Sequence, residues 1–171
     1  AYDPDTQVAG DLQGNSTLRY AMNQIRQALC GDRADLCTII NGRSGRCSED
    51  CKFCAQSCHY RTQAEEYPFL AEDEILAACR RDEAAGARRF SIVTAGRSLK
   101  GEDLERALSA YRRLRRETGV ELCASHGLQT EEEFRRMKEA GVERCHANLE
   151  TSRRYFPQMC TTHTYEDKVT N

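Results

Sequence analysis

The sequence lacks a surplus of charge of either sign. Its 171 residues include 25 lysines and arginines against 27 aspartates and glutamates, which gives a formal net charge of −2. Proteins that attract nucleic acid or anionic membranes through their overall field carry a clear positive excess. The charge balance therefore predicts neither nucleic acid nor a membrane surface as a partner.

Long apolar runs and an export signal are lacking as well. No stretch approaches the roughly 18 to 20 apolar residues that cross a bilayer, and the start, AYDPDTQVAG, has neither the basic nor the apolar region of a signal peptide. We therefore expect a cytoplasmic protein. In that reducing compartment, clustered cysteines are more often metal ligands or catalytic groups than disulfides.

Cysteine, by contrast, is abundant. The chain has ten, and four of them fall in the stretch SGRCSEDCKFCAQSCHY, residues 44–60. A domain of this length buries roughly 70% of its unfolded surface and does not need disulfides to fold. The clustered thiols therefore indicate chemistry rather than cross-linking.

Beyond residue 35, amphipathic helical patterns alternate with short apolar or β-branched runs. Three of the helices are followed by a glycine (Gly86, Gly119 and Gly141), which predicts that each ends in a left-handed residue. Alternation of this kind predicts parallel strands joined by right-handed crossovers. The predicted strands are Leu36–Ile40, Arg89–Thr94, Glu121–Ser125 and Glu143–Leu149.

Four such units are half of the eight in a (β/α) barrel, which takes about 250 residues. We predict an α/β fold in which residues 35–171 form the N-terminal half or so of a parallel TIM-type (β/α) barrel, behind a helical extension at 1–34. A flavodoxin-like open sheet is the alternative. The chain starts at Ala1 and stops in the opening of a helical pattern, so we expect the C-terminal part to be missing. Half a barrel exposes sheet edges, and we expect poor stability alone.

The loops after the strands point to one site, because ligands bind at the carboxyl ends of the strands in either fold. The cysteine stretch follows the first predicted strand. The segments TAG (94–96), CASHG (123–127) and ANLET (147–151) end the other three.

Cys47, Cys51 and Cys54 have the spacing C-x-x-x-C-x-x-C. Three thiolates on one loop can hold three corners of a cubic iron–sulfur cluster and leave the fourth iron open. A structural zinc site would need a fourth ligand, which Cys58 or His59 could supply. A redox dithiol of Cys51 and Cys54 would leave Cys47 without a role.

The three-cysteine spacing, with Phe53 before the last thiol, resembles the signature of the radical S-adenosylmethionine (SAM) superfamily. The wider phrase INGRSGRCSEDCKFCAQSCHYRT is similar to the biotin synthase family, and so are AAGARRFSIVTAGR, ELCASHG, HANLETSRRYFP and CTTHTYEDKV. The resemblance covers residues 36–169 and implies the radical SAM barrel fold.

The resemblance also implies a metal-binding transferase of biotin biosynthesis. A [4Fe-4S] cluster on Cys47, Cys51 and Cys54 would bind SAM at its open iron, and the 5′-deoxyadenosyl radical would abstract hydrogen from dethiobiotin. An auxiliary iron–sulfur cluster, [2Fe-2S] or a variant, would donate sulfur to form biotin. No side chain would act as acid or base. The implied partners are a flavodoxin or ferredoxin reductant and a second copy of the full-length chain in a homodimer.

Site residues follow from the same resemblance. Phe53 would lie near the adenine, the segment Thr94–Gly96 near the methionine end, Glu150 at the ribose hydroxyls and Lys168 near the cofactor carboxylate. Asn148 and Arg89 would contact substrate, and Arg89 would also border the auxiliary cluster. The implied cofactor-binding residues are Phe53, Thr94, Ala95, Gly96, Glu150 and Lys168.

The auxiliary site departs from the family pattern. Cys123 matches one ligand, but Ser91 stands where relatives have a second cysteine, and a serine hydroxyl is far less acidic than a thiol. Cys30, Cys37 or Cys58 could serve a rearranged cluster, with Cys58 predicted as the best placed. Ser91 also leaves open another radical SAM function, such as carbon-skeleton rearrangement or metalloenzyme maturation, and a non-catalytic zinc-binding domain is a more distant alternative.

Other cysteines and histidines receive structural interpretations. We expect Cys79 in the core, because it shares a helix face with apolar residues. Cys160 is also interpreted as structural. His126 follows a strand end, where it could contact a ligand or lie in a surface loop, and the sequence assigns no role to His163.

Overall fold

The described residues of the N-terminal unit include an amphipathic helix. A computed structural model of the protein describes residues 16–32 and 35–171, and the chain divides into two compact units, Ala1–Ala34 and Asp35–Asn171. Helix α1, Ser16–Cys30, lies in the first unit. It ends at Gly31, which has a φ of 68° and donates its N–H to the Gln27 carbonyl oxygen at 3.0 Å. Such a left-handed glycine is a common way to end a helix.

The second unit is built on a four-stranded, all-parallel sheet in the order β1-β2-β3-β4. A flavodoxin-like sheet has the order 2-1-3-4-5, so that alternative is wrong and the predicted α/β barrel topology is confirmed. The strands are β1 (Cys37–Arg43), β2 (Arg89–Thr94), β3 (Glu121–Ser125) and β4 (Val142–Cys145); the helices are α2 (Glu72–Ala84), α3 (Gly101–Glu117), α4 (Glu131–Glu139), α5 (Phe156–Met159) and α6 (Tyr165–Thr170).

Two strand ends differ from the prediction. Strand β1 continues past Ile40, because its last residue Arg43 pairs with Thr94 after a register shift. Strand β4 stops at Cys145 rather than Leu149. Cys145 pairs with Ala124, and β3 ends at the next residue, Ser125. Beyond Cys145, therefore, almost no β3 backbone is left for the chain to pair with.

The glycine prediction holds at two of three positions. Gly86 and Gly141 have φ values of 94° and 104°. Gly119 is not left-handed: α3 ends at Glu117 with Thr118 as its C-cap, and the Gly119 N–H donates to the Glu83 carboxylate at 2.7 Å. That close approach explains a glycine there, since an added Cβ would meet the carboxylate at 3.2 Å.

The helices cover one face of the sheet. Side chains of β2, β3 and β4 that point to this face pack on α2, α3 and α4 in one hydrophobic core, and Cys79 is fully buried in it as predicted. The strand residues of the core are Phe90, Ile92, Leu122, Ala124 and Val142.

The opposite face is exposed at the β1 edge of the sheet, whereas Ser91 and Cys123 on the same face are buried. Ile39, Ser91 and Cys123 lie side by side across β1, β2 and β3, and Ile39 is 67% exposed. Alternate strand residues point to opposite faces of a sheet. In a closed barrel this second face is the interior.

We predict that the two faces contribute very unequally to stability. Ile92→Ala, on the helix-covered face, should lower the free energy of unfolding by about 2–5 kcal/mol, because it leaves a cavity at a fully buried position. Ile39→Ala is the matched control on the neighbouring strand and should change it by less than about 0.5 kcal/mol. Urea unfolding followed by circular dichroism measures both, and equal losses would contradict this description of the faces.

Candidate functional site

The cysteine stretch forms a loop closed by backbone hydrogen bonds. Cys47 donates its N–H to the Gln56 carbonyl oxygen at 2.9 Å, and Cys58 donates to the Cys47 carbonyl oxygen at 2.9 Å. Within the loop, the Cys54 N–H donates to the Cys51 carbonyl oxygen at 3.0 Å. The positions of the thiols are thus set by the folded loop at the carboxyl end of β1.

All three thiols of the C-x-x-x-C-x-x-C spacing line one cavity of about 230 Å³. The segment after β2 forms part of its wall, and the segments after β3 and β4 also reach it. The lining includes all six residues that the family resemblance implies for cofactor binding: Phe53, Thr94, Ala95, Gly96, Glu150 and Lys168.

The surroundings of two of the thiols, Cys47 and Cys51, disfavour their charged thiolate forms. Burial raises the pKa of Cys51 well above its usual range, and a hydrogen bond with Cys160 and the neighbouring charges of Cys47 and Cys54 add to this effect. Burial also raises the pKa of Cys47. Thiolates gathered in this way need a cation to become stable together. Three soft sulfur donors on one wall fit an iron–sulfur cluster.

The segment after β2 is held by an arginine that the sequence interpretation missed. Arg43, the last residue of β1, donates to the Ala95 carbonyl oxygen through Nε at 3.1 Å and forms an ion pair with Asp103 at 2.7 Å. Gly96 has a φ of 118° and lies directly against this guanidinium. The ion pair therefore fixes the backbone that borders the thiols.

A second arrangement that the sequence did not reveal joins the cysteine loop to the chain after β4. His163 Nδ1 lies 2.5 Å from a Glu49 carboxylate oxygen, and both side chains are over nine-tenths buried. Arg97 pairs with the same carboxylate at 3.2 Å. Burial alone would raise the pKa of Glu49, but hydrogen bonds from His163 and Thr162 outweigh it and hold the pKa below its usual value.

The same two segments are also joined next to this pair. Asp50 accepts hydrogen bonds from the Thr161 backbone N–H at 2.8 Å and from the Thr162 N–H at 3.2 Å. The hydrogen bonds from Thr161 lower the pKa of Asp50. The bond from the Thr161 side chain has the largest effect, and the bond from its backbone N–H follows. Lys52 donates its N–H to the Met159 carbonyl oxygen at 3.0 Å. The cysteine loop and residues 159–163 therefore form one continuous wall.

Cys160 belongs to this wall rather than to a distant core. Its Sγ lies 3.7 Å from Cys51 Sγ and 3.2 Å from His163 Nδ1. Among the described residues, one group of three metal-ligating side chains has its ligand atoms within 4.8 Å of one another: Cys51, Cys160 and His163. The available signal was a cysteine and a histidine three residues apart in CTTH.

Two predicted positions lie elsewhere. Asn148 is exposed and is not among the residues that line the cavity. Cys58 is exposed and borders a different surface groove, with Ala55 and Arg61. His59, the other candidate for a fourth zinc ligand, has Nε2 3.0 Å from the Ser48 carbonyl oxygen.

The predicted auxiliary-site residues gather on the face of the sheet opposite the helices. Ser91 and Cys123 pair directly across β2 and β3. Arg89, two residues before Ser91, forms ion pairs with Asp35 at 2.6 Å and Glu121 at 2.8 Å. Cys37 pairs with Arg89 in the neighbouring strand. Burial raises the pKa of Cys123 most, and the charge of Cys37 makes the second-largest contribution in the same direction.

His126 is buried rather than exposed in its loop. The arrangement suits a neutral imidazole, in which Thr94 Oγ1 donates to Nδ1 at 3.0 Å and Nε2 donates to Tyr111 Oη at 2.8 Å. Tyr111 in turn donates to the Cys123 carbonyl oxygen at 3.3 Å. Burial lowers the pKa of His126 to about 4, with a smaller contribution from Arg43.

No helix in the described part of the chain combines the length and the apolar character that crossing a bilayer requires.

Comparison with known proteins gives one family and one fold. The family model described as "Radical SAM superfamily" matches residues 41–171. The chain is 56% identical over 147 residues to the biotin synthases of Clostridium beijerinckii and Alkaliphilus metalliredigens, covering 86% of this chain and 46% of each relative. It thus spans about half the length of the curated relatives it matches.

The comparison with solved structures concerns the fold alone, because sequence identity is low. The crystal structure of HydG, a maturase of the [FeFe]-hydrogenase, has a TM-score of 0.72 at 16% identity, over 88% of this chain and 34% of that one. The FeFe-hydrogenase maturase HydG from Carboxydothermus hydrogenoformans has a TM-score of 0.70 at 13% identity, over 90% of this chain and 36% of that one.

We predict that His126 makes the chain more sensitive to acid. The unfolded chain binds a proton near pH 6.5 and the folded chain only near pH 4, so stability falls as the pH is lowered between these values. The loss amounts to roughly 3 kcal/mol. Urea unfolding at pH 7 and pH 4.5 should show a smaller difference for His126→Gln than for the parent.

His59→Gln, at an exposed histidine, is the control and should keep the difference seen in the parent. If His126→Gln retained the full difference, His126 would not be buried in neutral form.

Proposed function

The chain belongs to the radical SAM superfamily, and we propose that it is part of a biotin synthase, which converts dethiobiotin to biotin by radical hydrogen abstraction and sulfur insertion. One observation carries the proposal: three thiols of one loop meet the ends of the other strands at a single cavity. The relatives that are 56% identical are named biotin synthase, which supports this function within the superfamily. The activity is proposed for the whole protein.

The proposed organisation has two parts. Residues 35–171 are the N-terminal part of the barrel, whose C-terminal part lies outside this sequence, and residues 1–34 are a helical extension. The even charge balance favours a small-molecule substrate over nucleic acid. We further propose a cytoplasmic enzyme, reduced by a flavodoxin or ferredoxin and dimeric when full length.

Cys47, Cys51 and Cys54 would hold the [4Fe-4S] cluster. When bound, that cluster supplies an open iron for SAM and the electron that cleaves its sulfonium bond to give a carbon radical. The loop contributes the soft donors, and its closed backbone fixes their spacing before the cluster is inserted. No acid or base side chain is needed, so the work of the chain is to bind, orient and exclude water.

The cavity wall offers a partner for each part of SAM. Phe53 gives an aromatic surface for the adenine, and the Glu150 carboxylate gives two acceptors for ribose hydroxyls. Glu150 has a φ of 65°, in the left-handed region that non-glycine residues seldom adopt. The Lys168 ammonium can pair with the carboxylate of the methionine moiety. The Thr94–Gly96 backbone, held by Arg43, borders the same end.

For the auxiliary cluster, we propose that Cys123 is a ligand and that Arg89 borders it. Ser91 is adjacent, but its hydroxyl is a poor iron donor. Cys37 is better placed than Cys58 to replace the missing ligand. Ile39 is in register with Ser91, and Cys37, two residues before Ile39, lies on the same face of the sheet. The dethiobiotin site would lie between this face and the SAM cavity, with Asn148 reaching it from the loop after β4.

Ser91 also supports a second candidate function. A radical SAM enzyme that rearranges a carbon skeleton or matures a metalloenzyme would not need the missing thiol. Biotin formation from dethiobiotin by the full-length protein separates the two functions: its presence supports sulfur insertion, and SAM cleavage without it supports the alternative.

We predict that the cluster depends on three thiols of the loop and not on the fourth. After anaerobic reconstitution, the chain should contain about four irons and cleave SAM to 5′-deoxyadenosine on reduction. Cys54→Ala should abolish both properties, because only two thiolates remain. Cys58→Ala, in the same loop but outside the cavity, is the matched control and should keep both. Cleavage that survived in Cys54→Ala would contradict the assignment, and zinc in place of iron would support a non-catalytic domain.

We predict that Cys123 holds iron in addition to the first cluster. In the full-length protein, Cys123→Ser should lower the iron and sulfide content towards that of one cubic cluster while SAM cleavage to 5′-deoxyadenosine continues. Cys145→Ser, on the neighbouring strand and the other face, should leave the content unchanged. Equal iron content in both variants would contradict an auxiliary site at Cys123.

A further inference from the structure

The cysteine loop and the chain after β4 run in opposite directions where they meet. The Lys52 N–H donates to the Met159 carbonyl oxygen at 3.0 Å, and the Asp50 carboxylate accepts from the Thr161 N–H at 2.8 Å. Each segment has a cysteine between its two bonded residues. These two cysteines are therefore opposite one another.

The opposed cysteines are Cys51 and Cys160, and their sulfur atoms lie 3.7 Å apart. Opposed residues of antiparallel backbones usually have Cα atoms about 4.5–5.5 Å apart, which is within the range of about 4.4–6.8 Å that disulfides span. Bond formation thus needs rotation of the two side chains rather than rearrangement of the backbone. In residues 16–32 and 35–171, no other two cysteine sulfurs are in hydrogen-bond contact.

The two thiols differ in their access to solvent. Cys51 is half-buried, whereas Cys160 is only 3% exposed, and both line the cavity. His163 Nδ1 lies 3.2 Å from Cys160 Sγ, and the Glu49 carboxylate holds the same nitrogen at 2.5 Å. These contacts keep the Cys160 sulfur beside Cys51. A small molecule that enters the cavity therefore reaches Cys51 first and finds the second thiol already in place.

We propose that Cys51 and Cys160 form a disulfide in the cluster-free chain, by exchange with a small-molecule disulfide such as oxidised glutathione. The Cys51 sulfur attacks one glutathione sulfur and releases one glutathione thiol. The Cys160 sulfur then attacks the Cys51 sulfur of the mixed disulfide and releases the second. Two protein thiols are oxidised, and their two electrons and two protons pass to glutathione.

The proposed disulfide and the proposed iron–sulfur cluster exclude each other, because a cluster ligand must be a free thiolate. Disulfides of proteins in reducing compartments are usually transient and often sense oxidation. The Cys51–Cys160 bond would thus be a reversible covalent modification that withholds one cluster ligand while the surroundings are oxidising. Burial raises the pKa of Cys51, so the thiolate that starts the exchange is scarce and the reaction is followed to equilibrium.

The test uses the complete 171-residue chain without cluster, equilibrated under anaerobic conditions in mixtures of reduced and oxidised glutathione. Free thiols are then blocked with N-ethylmaleimide, and the chain is cut with trypsin. The tryptic peptide 47–52 contains Cys51, peptide 53–61 contains Cys54 and peptide 155–168 contains Cys160. Mass spectrometry should find peptide 47–52 joined to peptide 155–168.

Four variants assign the two sulfurs. Cys51→Ser and Cys160→Ser should abolish the joined peptide. Cys47→Ser is the matched control for Cys51→Ser, since both residues lie in peptide 47–52, and it should keep the joined peptide. Cys54→Ser should also keep it. Far-ultraviolet circular dichroism checks that each variant is folded.

A comparison in the parent chain needs no variant to fold. Concentrated urea separates the two segments, and the effective concentration of one end of a flexible chain at the other falls with length. At one glutathione ratio, the ratio of joined to unjoined peptide should therefore be at least about 10-fold higher in the folded chain than in urea.

Three results would overturn the proposal. One is a folded chain in which peptide 47–52 is joined to 53–61 and not to 155–168, because the disulfide would then lie within the loop motif. Another is a joined peptide that survives in Cys51→Ser and is lost in Cys47→Ser. The third is equal abundance in the folded chain and in urea. A joined peptide that coexists with an intact cluster in the reconstituted chain would instead contradict Cys51 as a cluster ligand and leave the disulfide supported.

Discussion

The buried contact between Glu49 and His163 is the constraint on which the site depends. It joins a residue inside the cysteine loop to one 114 positions later. Arg97, in the loop after β2, forms an ion pair with the same carboxylate. A buried carboxylate without partners would be costly, so the three segments are stable only together. The cavity lies between these segments, and the three proposed ligands of the loop cluster, Cys47, Cys51 and Cys54, line it.

The sheet explains why chemistry is concentrated at one end and on one face. Parallel strands bring all carboxyl ends to the same edge, where the four loops meet. The helices bury one face in the hydrophobic core, while the other presents small and polar side chains such as Ser91 and Cys123. The proposed SAM cavity and the proposed auxiliary site thus occupy different regions of the sheet, which would keep the radical and sulfur chemistry apart.

Much of this could be predicted from sequence because it is periodic or local. Helical and strand patterns located β2 and β3 to the residue, and the three-cysteine spacing predicted a metal-binding loop, which the structure has after β1. The roles of Cys160, His163 and Arg43 could not be predicted in this way, since each depends on contacts between residues more than 50 positions apart. Strand β4 was predicted too long because its end is set by the end of its neighbour, and Gly119 was misjudged because it serves a close approach to Glu83.

The most direct test of the account is whether SAM binds to the iron of the loop cluster. Electron paramagnetic resonance of the reduced, reconstituted chain should show a cubic-cluster signal whose g values change when SAM is added, because the amino and carboxylate groups of SAM would coordinate the iron that Cys47, Cys51 and Cys54 leave open. A cluster signal that is identical with and without saturating SAM would contradict the central claim.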